Sequence, residues 1–291
     1  MADHEQGIQN NVRNFYDQVG WKLESDGFYQ NAMYEDLRPV SWEYIHRCHM
    51  RVKRHLANGG RFFLDAGSGP IQWPEYLTYS AGYDFRVCAD LSIEGLKEAR
   101  KRIGEHGLFV VADISHLPFA DESFDGVVSL HTIHHVPADD KKNAYLELHR
   151  TLKSGRRAVV VNGWGRSPMM IRWSRFVGIM EKVFGLNQKP KAIITDSGQG
   201  TIVVQSTENA SGESTGTYIE KDTPQKLLQE LAKQITLEIL VWRSVSVRFL
   251  RAMIHPWLLG RLWLKLLYRL EERNPQKYGN EGQYPLIILY K

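Results

Sequence analysis

Residues 65–70 read Asp65-Ala66-Gly67-Ser68-Gly69-Pro70 and follow a short apolar run at 62–64. Glycines placed directly after a strand remove side chains where a ligand must approach the backbone, and the next helix aims its N-terminus at the same spot. The turn does not fit a dinucleotide site, because Gln72 stands where tight helix packing needs a small residue. A carboxylate at Asp65 repels a pyrophosphate and attracts an ammonium group. The next two strands also end in acids. Asp90, 25 residues after Asp65, is placed to accept hydrogen bonds from both hydroxyls of a ribose. Asp113 suits the exocyclic amine of a purine, with Ile114 and Leu91 covering the two faces of the ring. One such acid commonly just caps a turn. Three at successive strand ends point to a nucleoside carrying an amino-acid arm, the chemistry of S-adenosylmethionine.

His131, His134 and His135 follow the fourth strand, at the carboxyl edge where open α/β sheets bind ligands. Methyl transfer from a sulfonium is an in-line displacement whose rate comes mostly from aligning the nucleophile. An acceptor that must lose a proton also needs a base, and imidazole suits that role near neutral pH. His134 and His135 are the candidate bases, and the alternative is that histidines here pack against the sheet. Their spacing also permits a metal reading closed by Asp139 or Asp140, but the shell is incomplete and no metal is expected.

The runs LDAGSGP at 64–70, CADLS at 88–92, VVADISHLPFADESFDGVVSLHTIHHV at 110–136 and LKSGRRAVVVNGW at 152–164 together resemble the class I methyltransferases. The likeness is strongest to the broad group containing ubiquinone and menaquinone biosynthesis methyltransferases. It implies S-adenosylmethionine as cofactor, with Asp65, Gly67 and Gly69 on the methionine part, Asp90 and Leu91 on ribose and adenine, and Asp113 and Ile114 on adenine. Leu130 and His131 would lie on the sulfonium side. Tyr16 resembles the N-terminal aromatic that closes over the cofactor in related enzymes, and is a third catalytic candidate; it could equally anchor its helix. Ile71 departs from the pattern, since many members carry a further glycine there. The resemblance spans residues 62–164 and is silent on the acceptor.

To hold these residues together, the chain must alternate strands and helices. Apolar runs at 62–64, 86–89, 108–111, 124–130 and 158–161 alternate with helical patterns at 74–80, 92–103 and 139–152. The fold class expected is α/β, a Rossmann-like, doubly wound, mainly parallel sheet, with further strands at 235–240 and 285–290, the last antiparallel at the sheet edge. Residues 1–58 read as an N-terminal helical lid segment and 59–291 as the catalytic domain. A substrate-cap insertion occupies about 163–222, where Trp164, Met169, Met170, Trp173, Phe176 and Met180 favour an apolar or aromatic acceptor unless they are core. The polar stretch 206–217 reads as a loop tip, and the basic stretch 47–55 as an exposed helix face.

An amphipathic insertion covers 249–273. There Arg261, Lys265, Arg269 and Arg273 fall in one helical row beside Trp257, Leu262, Trp263 and Leu266. It is read as a core or dimer helix, or as a peripheral membrane contact. A net charge of +4 over 291 residues gives no support to a nucleic-acid partner, and the two cysteines, Cys48 and Cys88, suggest neither a disulfide framework nor zinc. With no apolar run of spanning length, a cytoplasmic protein is expected, with peripheral membrane contact as the variant. The activity expected is methylation of a small organic or lipid-like acceptor at oxygen or carbon. Alternatives are protein or RNA methylation, or a non-catalytic binding protein. The sequence Ser129-Leu130-His131-Thr132 argues against methylating the amino groups of bases.

Overall fold

The computed structural model describes residues 2–25, 27–56, 59–186 and 217–291, with backbone alone for 2–6 and for short strands at 192–196, 201–205, 207–208 and 214–215. Most of the polar stretch at 206–217 lies outside the described residues. Seven strands form the main sheet: β1 (Gly60–Ala66), β2 (Tyr83–Asp90), β3 (Gly107–Val111), β4 (Gly126–Leu130), β5 (Arg157–Val161), β6 (Thr236–Arg243) and β7 (Tyr284–Tyr290). Their spatial order is β6-β7-β5-β4-β1-β2-β3. All neighbouring pairs are parallel except those made by β7, which runs antiparallel to both β5 and β6.

The last strand therefore lies inside the sheet, and the expectation of an edge position is corrected. Leu286 to Leu289 are all essentially inaccessible. An uninterrupted apolar run is what a strand covered on both faces requires, whereas an edge strand would be blunted with charge. The chain reverses its winding direction between β1 and β4, which opens a crevice at their carboxyl ends.

Helices α1 (Ala2–Phe15), α2 (Trp42–His55), α3 (Ile93–Ile103), α4 (Lys141–Thr151), α5 (Pro168–Val183), α6 (Pro224–Leu231), α7 (Val247–Met253), α8 (Gly260–Arg273) and α9 (Pro275–Glu281) surround the sheet. Side chains of Ser92, Ser167 and Thr223 cap α3, α5 and α6 by accepting backbone N–H bonds at 3.0, 3.2 and 3.3 Å. Each such cap contributes about 1 kcal/mol. Alternation along the strands divides the core between the two faces: Phe63, Cys88, Val128 and Val159 belong to one cluster, Leu64, Val87, Val127 and Val160 to the other.

The N-terminal segment is two structures with different jobs. Helix α1 and the turns to Tyr34 cross the crevice, whereas α2 buries Tyr44, Ile45, Cys48 and Val52 in the core. The 47–55 stretch is consequently not a simple exposed face. Arg51 is buried, bound to Glu271 at 3.0 Å, Glu272 at 2.9 Å and the Trp242 carbonyl at 2.7 Å. The 249–273 insertion is likewise broken into α7, a short turn at Pro256–Leu258 and α8, with Leu259 in the left-handed region.

Candidate active site

β1 delivers the glycine turn to the crevice. Gly67 and Gly69 have φ of 75° and 47°, a backbone region that L side chains rarely adopt. A Cβ on Gly67 would come within 2.1 Å of the Thr132 hydroxyl, and one on Gly69 within 2.6 Å of the Trp21 ring. Ile71, at the position of the missing further glycine, also takes a left-handed φ of 55° while fully buried. Such a conformation costs a β-branched residue about 1–3 kcal/mol. Arg102 braces it by donating to the carbonyls of Ile71 and Gln72 at 2.5 and 2.8 Å.

Asp65 requires an amended charge argument. Its carboxylate is buried and held by the guanidinium of Arg86, itself inaccessible, with Nε at 3.1 Å and Nη2 closer still. The negative charge is already partnered. Asp65 still lines the cavity, alongside Gly67, Ser68 and Pro70, so the turn offers a ligand mainly its backbone.

The other acids reach the same cavity. Asp90 accepts from the backbone N–H of Gly69 at 2.7 Å and of Ser92 at 2.8 Å. Burial raises its carboxyl to about 6, against the lowering effect of those two N–H donors. Asp113 accepts from Ser115 N–H at 2.9 Å and from Gln9 Nε2 at 2.7 Å. Leu91, Ile114 and Leu130 supply apolar walls. Gly69 does not itself line the cavity; it sits beneath Trp21 with its N–H committed to Asp90.

The histidines separate by position. Ile133–His135 is a 3-10 turn, in which successive side chains diverge by about a third of a revolution, and His134 and His135, with ring centroids 4.2 Å apart, meet different surroundings. His134 points inward, its Nδ1 2.7 Å from Asn162 Oδ1, and lies outside the cavity lining. His135 lines the cavity, with Nδ1 2.8 Å from the Tyr218 carbonyl oxygen and Nε2 2.8 Å from the Tyr16 hydroxyl. A carbonyl can only accept, so Nδ1 carries the proton and the Nε2 lone pair accepts from Tyr16. Burial lowers His135 to about 4, which leaves the ring neutral at physiological pH, and holds the Tyr16 phenol above its ordinary value, with Asp90 adding to the effect. His131 lines the cavity with a left-handed φ of 55°, its ring edge-on to Trp242; burial lowers it to about 3.

Tyr16 opens a π-helical turn, Tyr16–Gly20, a local geometry that often marks functional positions. Its ring stacks on Trp21 at 4.8 Å between centroids. The cavity is walled by the strand ends on one side and by Gln9, Val12, Tyr16 and Trp21 of the N-terminal segment on the other. Trp21, Trp73 and Tyr76 line it without having been singled out in the sequence, and Gln72 and Thr132, read there only as departures from other motifs, line it too. A signal for Trp21 existed in its spacing from Tyr16, but neither residue belongs to a strand-end motif. The insertion residues expected around the acceptor behave differently: Trp164 is core, with Nε1 donating to the Gly279 carbonyl at 2.7 Å, and Met169 and Met170 pack on the core. Trp173 and Phe176 are exposed, and none of the six lines this cavity.

The lining suits a nucleoside with an amino-acid arm. Two acids stand at successive strand ends and apolar walls at Leu91 and Ile114. Two buried donors at the cavity, Trp21 Nε1 and Gln72 Nε2, have no partner among the described residues. Among the described residues no group of three or more His, Cys, Asp or Glu side chains is arranged to hold a metal ion.

Comparison with known proteins agrees with this geometry. Residues 64–160 match the family described as Methyltransferase domain. The chain is 31% identical over 162 residues to Methyltransferase GfsG of Streptomyces halstedii, covering 52% of this chain and 57% of that one. It is 36% identical over 74 residues to the ubiquinone/menaquinone biosynthesis C-methyltransferase of Desulfotalea psychrophila, covering 25% of this chain and 29% of the relative. In both cases the chain spans less than two thirds of the relative's length. The solved structure of the DhpI-SAH complex superposes with a TM-score of 0.56 over 98% of this chain and 97% of that one, at 12% identity, and thus shares the fold.

Proposed function

We propose that this chain is a class I S-adenosylmethionine-dependent methyltransferase that methylates a small organic or lipid-like acceptor at oxygen or carbon, releasing S-adenosylhomocysteine. The observation that carries the reading is the hydrogen-bonded run from the Tyr218 carbonyl through His135 to Tyr16, set in the same cavity as the glycine turn and the acids. Bound S-adenosylmethionine supplies an electrophilic methyl group. Asp90 and Asp113 would hold its ribose and adenine, Leu91 and Ile114 would flank the ring, and the backbone of the turn would receive the amino-acid arm.

An acceptor hydroxyl or acidic C–H placed against Tyr16 gives up its proton to the phenol oxygen while the phenol proton moves to His135 Nε2. His135 becomes imidazolium, still donating from Nδ1 to the Tyr218 carbonyl. Positioning contributes most of the rate and the base a further factor of about 10²–10⁴. Trp73 and Tyr76 on the cavity wall favour an apolar or aromatic acceptor. The name of the Desulfotalea relative, a C-methyltransferase, supports carbon alongside oxygen.

Calorimetry with S-adenosylmethionine tests the cofactor half: binding to the wild type and its loss in Asp90→Ala is expected, and absence of binding to the wild type would sink it. Product analysis with phenols, enolisable ketones, proteins and RNA tests the acceptor half. Methylation of protein or RNA in place of every small acceptor would overturn that part alone.

A further inference from the structure

The face built by residues 257–266 of the 249–273 insertion is laid out for an anionic surface. On α8, Leu264 and Tyr268 are buried, which fixes the orientation of the helix. With about 100° of rotation per residue, Leu262, Trp263 and Leu266 then fall on the outward side. They are 59%, 59% and 45% exposed, and Trp257 and Leu259, just before the helix, are exposed by a further 65% and 64%. A contiguous group of this kind is more than the scattered apolar exposure of an ordinary surface. Arg261, Lys265 and Arg269 form the adjacent row, between this stripe and α2.

That basic row borders a second cavity, between α2 and α8, lined by Arg47, Arg261, Lys265, Tyr44 and Tyr268. Glu43 also lines it and bridges to Arg47 at 2.7 Å and more loosely to Lys265 at 3.8 Å. Three cations against one carboxylate leave the cavity net positive, and among the described residues Arg261 has no carboxylate partner. Across the cavity Trp42, 60% exposed, stands on the opposite bank. Tryptophan and leucine flanking a cationic recess match the layering of a bilayer interface, where indole rings sit at headgroup depth and anionic phosphates lie beside them. No helix among the described residues is long and apolar enough to cross a membrane.

We infer that this chain docks peripherally on anionic lipid bilayers, inserting Trp257, Leu259, Leu262, Trp263 and Leu266 while the recess of Arg47, Arg261 and Lys265 receives a headgroup phosphate. Charge complementarity selects this occupant over a second copy of the chain, whose own recess would meet it with like charge. The inference does not rest on methyl transfer.

Vesicle flotation with the full chain tests it, using phosphatidylcholine vesicles with and without about one third phosphatidylglycerol. The wild type floats with the anionic vesicles and stays behind with phosphatidylcholine alone. Arg261→Glu with Lys265→Glu weakens flotation by about tenfold or more, and Trp263→Ser with Leu266→Ser abolishes it. Both pairs are exposed, and both variants keep wild-type circular dichroism and cofactor affinity. Failure of the wild type to float, or flotation unchanged in both double variants, overturns the inference. So does a wild-type dimer in sedimentation velocity that Trp263→Ser with Leu266→Ser converts to a monomer, which would assign the face to a second copy.

Discussion

The neutral, buried His135 makes a quantitative prediction about acid. Its pKa falls from an ordinary 6.5 to about 4 because burial penalises the charged ring. Protons therefore bind the unfolded chain first, so the contribution of this residue to stability is fully present above pH 6.5 and is lost as pH falls toward 4. A shift of this size corresponds to about 3 kcal/mol. His131, lowered to about 3 by the same cause, steepens the loss. His135→Gln keeps an amide that can donate to the Tyr218 carbonyl and accept from Tyr16, but it cannot take up the proton. Urea unfolding at a series of pH values should show the wild type losing about 3 kcal/mol more than the variant over this window. At neutral pH the variant's kcat should drop by about 10²–10⁴, while the wild-type rate stays flat above about pH 5. A wild-type rate that inflects near 6.5, or parallel stability curves for the two proteins, would refute a buried neutral base.

Three further outcomes follow from the cavity walls. Arg86→Leu leaves the Asp65 carboxylate buried without its partner and should cost about 3–5 kcal/mol in urea unfolding; adding Asp65→Asn should restore much of that, and simple additivity would contradict the pairing. Gly67→Ala drives a Cβ into Thr132 at a φ of 75°, so calorimetry should find cofactor affinity lost and melting lowered; a wild-type titration would show that the turn has room to spare. With Asp90 raised to about 6, affinity for S-adenosylmethionine should weaken roughly tenfold for each pH unit below that value, and a pH-independent affinity down to 4.5 would remove Asp90 from the binding role.

The parallel half of the fold was legible because strand ends, glycines and acids repeat there at short range. Asp90, Leu91, Asp113, Ile114, Leu130 and His131 all reach the cavity lining from positions readable in the sequence. What escaped depends on long-range pairing. Arg86 in the apolar run of β2 was the clue that Asp65 has an internal partner, since an arginine on a covered face must be compensated. The choice between His134 and His135 hinged on a 3-10 turn that periodicity does not reveal. Placing β7 inside the sheet, and the cavity lining on Trp73 and Tyr76 instead of the 163–222 insertion, required knowing which distant segments adjoin.

The N-terminal strap touches three strand ends at once: Gln9 on Asp113, Asp17 on the Ser92 hydroxyl at 2.6 Å, and Tyr16 on His135. Gln9, Tyr16, Ser92, Asp113 and His135 all line the cavity, so the strap is part of the wall that a nucleoside held by Asp90 and Asp113 would meet. A nucleoside that enters only when the strap lifts must bind before the acceptor, which Tyr16 can receive only once it has returned to His135. Steady-state kinetics should accordingly be of compulsory order, with S-adenosylmethionine first on and S-adenosylhomocysteine last off. Turnover at saturation would then be paced by the unlatching of three hydrogen bonds, and product inhibition by S-adenosylhomocysteine would be competitive toward the cofactor alone.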